Sequence, residues 1–291
     1  MKETIHVPVL MEEVLYYLDP KEGEVMIDGT YGGGGHAKEI QARLGEAGKL
    51  VACDLNPEAV ALCRGNLPKT ICIEGSFSEV ASILTELSIP KVDGLLLDLG
   101  FSTDEMENSG RGFSFLRDEP LLMTYSDREM PVYEILRNLK EEELADIIYE
   151  YGEERYSRKI ARAIKEEGKK QSILSSLQLA EIIRKAVGSG YERGRIHPAT
   201  RTFQALRIYA NKELYRLTTL LNALPTIMNP GGRVVIISFH SLEDRIVKNH
   251  FRDFGKKFSA TILTKKPIEA TEVEIFKNPK ARSAKLRAIR F

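Results

Sequence analysis

Residues 24 to 37, EVMIDGTYGGGGHA, place an acid at the end of a short apolar run and four consecutive glycines just before a helix-like pattern. A backbone this free of side chains suits the close approach of a bound molecule. Gly32, Gly34 and Ala37 have the spacing G-x-G-x-x-A, and Asp54 closes a second apolar run, KLVACD, twenty residues after Gly34. That is the layout of a strand, a tight turn, a helix start and an acid that accepts hydrogen bonds from ribose hydroxyls. NAD, FAD and S-adenosylmethionine all fit such a loop. Asp28 separates them, because a carboxylate beside the loop repels a pyrophosphate and attracts the ammonium and sulfonium of S-adenosylmethionine.

A second group of residues suggests the chemistry. Asp98 ends the run VDGLLLD and opens Asp98-Leu99-Gly100-Phe101, with a carboxylate first and an aromatic fourth. Amino-group methyltransferases place an Asp-Pro-Pro-Tyr type tetrad after their fourth strand. An exocyclic amine on cytosine or adenine is a poor nucleophile, because its lone pair is delocalised into the ring. A carboxylate that accepts one N–H localises that pair and orients it. Methylation at carbon 5 would need a nucleophilic cysteine in a loop after a strand, and Cys53, Cys63 and Cys72 offer none, so nitrogen is the expected target. Ser76 and Phe77 follow a third apolar run, which puts the Phe77 ring where an adenine would pack.

These residues need a scaffold that brings strand ends together. Apolar runs at 25–28, 49–54, 70–74 and 92–98 alternate with helical spacing at 57–66 and 77–87, the pattern of a parallel sheet covered on both faces. From about 105 to 200 no strand is legible, and 131–138, 141–151, 156–167 and 176–186 read as helices. The α/β pattern then resumes with a helix over 203–224, a turn at 229–232 and a strand over 233–238. A helix entered through the capping-box spacing Ser241-Leu242-Glu243-Asp244 follows, then strands near 260–263 and 285–291. The expected fold is α/β: a Rossmann-like methyltransferase domain, 1–104 and 205–291, interrupted by a helical insertion, 105–204, that recognises substrate.

Composition narrows the class without naming a partner. Lys plus Arg and Asp plus Glu both total 42 in 291 residues, so any nucleic-acid affinity must come from clustered charge. No apolar run reaches membrane-spanning length and no secretion leader is evident, which leads to the expectation of a cytoplasmic protein without a membrane partner. Three cysteines without C-x-x-C spacing indicate neither a disulfide framework nor a zinc site, and the five histidines show no metal-ligand spacing; no metal is expected.

Words along nearly the whole chain resemble the bacterial RsmH (MraW) family. They are His6-Val7-Pro8-Val9-Leu10, Asp28-Gly29-Thr30 with Gly32 to His36, Asp98-Leu99-Gly100, Arg111-Gly112-Phe113-Ser114-Phe115, and Tyr151-Gly152-Glu153-Glu154. The three longest are 197–205 (HPATRTFQA), 238–245 (SFHSLEDR) and 278–283 (NPKARS). The resemblance implies methyl transfer from S-adenosylmethionine to N4 of cytidine 1402 of 16S rRNA in the small ribosomal subunit. It also implies cofactor contacts at Gly34, Gly35, His36, Asp54, Phe77 and Asp98. Two departures stand out. Glu105 replaces a glutamine that contacts the cofactor, and Leu122 and Thr124 stand where the family carries an acid and an arginine.

For the RNA itself, Arg111, Phe113, His197, Arg201, Thr202, Gln204 and His240 offer donors and rings to an unstacked base, with Phe101 as a stacking partner where relatives have valine. Phe203 reads as core. Segment 155–170 carries seven basic and two acidic residues, and segment 277–290 six basic and none acidic. Other readings of the same loop are a DNA amino-methyltransferase, an NAD-dependent oxidoreductase, and an RNA-binding assembly factor with weak or lost catalysis. The sequence leaves a homodimer open.

Overall fold

The computed structural model describes residues 8–100, 109–191 and 196–291. The chain divides into two compact units, Met1–Gly100 with Leu214–Phe291, and Phe101–Glu213. The first unit opens with α1 (Met11–Leu18), then β1 (Val25–Asp28), α2 (Gly35–Leu44), β2 (Lys49–Asp54), α3 (Pro57–Asn66), β3 (Ile71–Glu74), α4 (Val80–Glu86) and β4 (Val92–Asp98). The second unit contains α5 (Val132–Asn138), α6 (Glu141–Gly152), α7 (Ser157–Gly168), α8 (Ser176–Val187) and α9 (Thr200–Ala210). The chain returns through α10 (Glu213–Ile227), β5 (Met228–Ser238), α11 (Ser241–Lys257), β6 (Thr261–Ile262), α12 (Glu272–Lys277) and β7 (Lys285–Arg290).

The seven strands lie in the order β3-β2-β1-β4-β5-β7-β6. The first five are parallel, and β7 runs antiparallel to β5 and β6. This is the Rossmann-like sheet expected from the sequence. Alternation along each strand feeds two separate cores. Met26, Leu50, Ala52, Leu96, Val235 and Ile237 pack with α1, α2 and α3, while Ile27, Val51, Cys53, Leu95, Leu97, Val234 and Ile236 pack with α4, α10 and α11. Near-continuous apolar strands are the signature of a sheet buried on both faces. Strand order reverses between β1 and β4, so the crevice beyond their carboxyl ends is where such a sheet receives a ligand. No described helix is long and apolar enough to cross a membrane.

The helix read over 203–224 is two helices. Asn211, fully buried, accepts from the Tyr125 N–H at 2.8 Å and donates to the carbonyls of Met123 and Arg207, both at 2.8 Å. Lys212 then adopts φ +52°, which ends α9. Both halves keep an apolar face, so helical periodicity runs unbroken across the joint. The turn at 229–232 is absorbed into β5, whose register against β4 shifts between Val92 and Gly94. The cysteines also need correction. Cys63 on α3 and Cys72 on β3 are joined in a disulfide, Cα atoms 6.1 Å apart, because the helix lies back over the strand that follows it. Spacing rules for cysteine do not register that proximity. Cys53 stays a buried thiol, pushed up to about 12 by burial and by the charges of Asp28, Asp54 and Glu79.

Asn211→Ala removes a buried side chain that holds three backbone groups. It should lower unfolding free energy by roughly 2 to 3 kcal/mol, the sum of lost bonds and an orphaned carbonyl. Chemical denaturation followed by circular dichroism checks this, and a loss below about 1 kcal/mol would show that the joint is fixed by packing instead.

Candidate active site

The glycine loop runs from the end of β1 to the start of α2, and its glycines do different work. Gly32 (φ +50°) has open space where a side chain would project. Gly34 (φ +76°) lies over Tyr31, whose hydroxyl oxygen would be 2.3 Å from an added Cβ, and a Cβ on Gly35 would meet Pro8 at 2.2 Å. The glycines at 34 and 35 are therefore demanded by the protein's own packing, whereas Gly32 has open space beside it and Gly33 is exposed. Gly34 caps α2 without any side-chain hydrogen bond, which leaves the first turn of that helix to attract an anionic group such as a carboxylate. Ala37 is fully buried, so the third position of the motif serves helix-on-strand packing.

Three carboxylates converge on this loop from neighbouring strand ends. Asp28 is 1 % exposed; one oxygen accepts from the Thr30 N–H at 3.1 Å and the other has no hydrogen-bond partner among the described residues. Burial, reinforced by the charges of Asp98 and Asp54 and only partly offset by the Thr30 N–H, raises its pKa to about 7. Asp54 accepts from Gly32 N at 2.8 Å with one oxygen and from Asn56 N at 2.8 Å with the other. It ties the loop to β2 as well as facing the ligand crevice, and burial raises its pKa despite those bonds.

Asp98 is fixed at both ends. Its backbone N–H donates to Thr30 Oγ1 at 2.7 Å, its Oδ1 accepts from Gly100 N at 3.1 Å, and Leu99 N donates to Ile237 O at 3.0 Å. The other carboxylate oxygen lies 3.8 Å from His36 Nδ1. His36 is buried, and its Nε2 is 3.0 Å from the Val9 carbonyl. A carbonyl only accepts, so Nε2 carries the hydrogen, and Nδ1 turns its lone pair, or a second proton, toward Asp98. Sequence reading assigned His36 to the cofactor and did not register Thr30. The signal for Thr30 was its place between Asp28 and the glycines, where a short hydroxyl can reach the adjacent strand.

Phe77 is half-buried beside Gly29, with its Cβ only 3.0 Å from where a Cβ on that glycine would stand. His240, expected to face the substrate, instead caps α11. Its Nδ1 accepts from Glu243 N at 3.4 Å, and Nε2 lies 3.2 Å from the buried Glu243 carboxylate, which itself accepts from Phe239 N at 2.9 Å. The cap is His240, one residue earlier than the Ser241 spacing indicated, because an imidazole nitrogen serves as acceptor as well as a hydroxyl does.

In the helical unit most of the expected substrate residues are engaged internally. Phe113 is 6 % exposed and stacks on Tyr125 at 5.6 Å. Thr202 is fully buried, and Phe203 lies in the core as expected. Arg111 donates to the Thr124 carbonyl and hydroxyl at 2.6 and 2.7 Å and pairs with Asp127 at 2.9 Å. Gln204 donates to Tyr151 O at 3.2 Å. Arg201 lies 4.0 Å from the buried Glu154. His197 is exposed, stacked on Phe115 at 4.3 Å, and burial of its ring against that partner, with Arg184 nearby, lowers its pKa. Phe113 and Thr202 thus help build the unit's interior. Phe101 and Glu105 lie outside the described residues. The basic run 155–170 is also partly consumed, since Lys165 donates to the carbonyls of Leu136, Arg137 and Leu139 at the end of α5.

Residues 3–291 match the MraW methylase family, and the chain belongs to it. It is 44 % identical over 305 residues to Ribosomal RNA small subunit methyltransferase H of Syntrophotalea carbinolica, covering 98 % of this chain and 97 % of that protein. It is 46 % identical over 283 residues to the protein of the same name from Deinococcus radiodurans, covering 97 % and 88 %. Among solved structures it resembles Aeropyrum pernix fibrillarin in complex with S-adenosyl-L-methionine, at 10 % identity and a TM-score of 0.41, over 92 % of this chain and 67 % of that one.

The Asp28 carboxyl links the site to stability. Its folded pKa of about 7 exceeds the ordinary 3.8, so the folded protein holds a proton that the unfolded chain releases, and stability falls as pH rises between those values. Asp28→Asn keeps the bond to Thr30 and removes the buried charge. Its melting temperature should equal the parent's below about pH 4 and exceed it by several degrees above about pH 7. Calorimetry across that range checks this, and a gain independent of pH would refute a charge origin.

Proposed function

We propose that this member of the MraW methylase family transfers a methyl group from S-adenosylmethionine to N4 of cytidine 1402 of 16S rRNA, acting on the small ribosomal subunit in the cytoplasm. The observation that carries the reading is the placement of Asp98, pinned by Thr30 and Gly100 at the lip of the glycine loop and facing His36. The names of full-length relatives support rRNA as the substrate.

The residues present fit the cofactor. Asp28 presents a buried carboxylate oxygen, without a partner among the described residues, of the sign that its ammonium and sulfonium require, and the loop leaves space beside Gly32. Asp28 and the first turn of α2 would hold the amino-acid end, Asp54 the ribose and Phe77 the adenine. When bound, S-adenosylmethionine supplies an electrophilic methyl group.

The chain's own contribution is to prepare the nucleophile. Asp98 Oδ2 accepts one N–H of the cytosine amine and directs the nitrogen lone pair into the crevice between β1 and β4. After transfer the amine nitrogen is positively charged and loses a proton to Asp98. His36 Nδ1, bare in the neutral ring, faces the same oxygen and receives that proton in turn, which restores the carboxylate. The helical unit, 101–213, engages the RNA around the target.

Asp98→Ala should abolish methyl transfer to small subunits while preserving protection against thermal unfolding by S-adenosylhomocysteine to within a few degrees. His36→Gln keeps a donor for Val9 and loses the acceptor at Nδ1; kcat should fall roughly 10- to 100-fold, with a changed kcat–pH profile. Nucleoside mass spectrometry of rRNA from cells with and without the gene tests the reading itself. Unchanged N4-methylcytidine would leave an assembly factor, and methylation of naked duplex DNA instead would point to a DNA amino-methyltransferase.

A further inference from the structure

Segment 263–285 wraps the edge of the sheet at the end where Asp28, Asp54 and Asp98 emerge. β7 begins at Lys285, which pairs with Ser238 at the carboxyl end of β5. Ile268 bridges to Leu286, so α12 and the 3-10 turn Pro279–Ser283 lie beyond that end. Both are firmly anchored. Glu274 accepts from Leu10 N at 2.7 Å, Thr271 caps α12, and Ala281 and Ala284 are 1 % exposed within the core beneath α1. Leu10 adjoins Val9, whose carbonyl holds His36 against Asp98.

On this rigid support the outward face of α12 is apolar. Phe276 is 89 % exposed and Val273, one turn earlier, 65 %. A large ring that solvated, fixed to an anchored helix, has no folding role. In the same segment Lys265, Lys266, Lys277 and Arg282 are exposed and form no ion pair among the described residues, against two exposed acids, Glu269 and Glu272. The basic run 277–290 is not one face. Arg287 is 6 % exposed and bonded to Asp244 at 2.6 and 3.2 Å, and the exposed cations of the run are Lys277 and Arg282, close in sequence to Phe276, and Arg290 at the far end of β7.

We infer that Phe276, Val273, Lys277 and Arg282 form a docking surface for single-stranded RNA flanking the methylated nucleotide. Phe276 stacks on a base and the cations follow the phosphates. The inference rests on the RNA substrate proposed above. Charge decides the occupant: an aromatic ring bordered by unpaired cations suits a polyanion of stackable bases better than a second copy of this face, which would set the same cations against each other.

The test uses full-length protein with Phe276→Ala and, separately, Lys277→Glu with Arg282→Glu, all at exposed positions. Steady-state methylation of small subunits by Phe276→Ala should show KM raised roughly tenfold, the loss of one stacked base, with kcat unchanged. The charge variant should show a shallower dependence of KM on salt. An unchanged KM in both overturns the inference. So does a dimeric parent, seen by sedimentation velocity, that Phe276→Ala converts to monomer with KM unaltered. If the parent methylates no subunits the proposed function itself fails; the surface is then judged by fluorescence anisotropy on single-stranded rRNA fragments, where equal Kd for parent and Phe276→Ala overturns it.

Discussion

Three carboxylates at the ends of three adjacent parallel strands are the constraint around which this fold is organised. Asp28, Asp54 and Asp98 lie close enough that the charges of the other two help raise the pKa of Asp28. Like charges in a partly dry crevice are unfavourable, and at Asp54 both oxygens are occupied by backbone N–H groups. Asp28 is left with one oxygen buried and without a partner among the described residues. Such an arrangement favours folding only weakly and favours a bound cation strongly. The same desolvation that lifts the Asp28 pKa strengthens its attraction for an ammonium or sulfonium.

The glycine loop is the counterpart of that constraint. Its N–H groups are what the acids bind, at Gly32 for Asp54 and at Thr30 for Asp28, while the Thr30 hydroxyl reaches across to the backbone of Asp98. One short segment therefore sets the spacing of all three acids. A Cβ at Gly34 or Gly35 would collide with Tyr31 or Pro8 and displace the loop, so the glycines protect the acid geometry as much as they admit a ligand.

The sheet was legible because each buried strand is an apolar run closed by a polar residue, and that residue type is what a strand end needs in order to face a crevice. Asp28, Asp54 and Asp98 were found this way. Features that depend on residues distant in sequence were not. Asn211 breaks a helix through bonds to Met123 and Tyr125, 88 and 86 positions away, and nothing in its neighbours shows this. The disulfide depends on α3 folding back over β3. The resemblance assigns His36 to the cofactor, and the sequence around it shows neither Val9 nor Asp98 beside its ring.

In the helical unit, residues of distinctive sequence words also serve its interior. HPATRTFQA and RGFSF are unusual, yet Phe113 and Thr202 are buried, and Arg111 spends its guanidinium on Thr124 and Asp127. The physical reason is that a unit built of short helices has few ways to satisfy backbone groups between them. Glu154, fully buried, accepts from Tyr156 N and the Tyr191 hydroxyl, and Arg111 does the equivalent for the loop at 124. Polar residues that hold loops in place are under as much geometric restriction as residues that touch a substrate, so distinctiveness alone does not separate them. Exposure does. Within the described residues, the rings and cations that remain at the surface without an intramolecular role are where recognition of a nucleic acid should be sought, and Phe276 is the most exposed of the large apolar side chains.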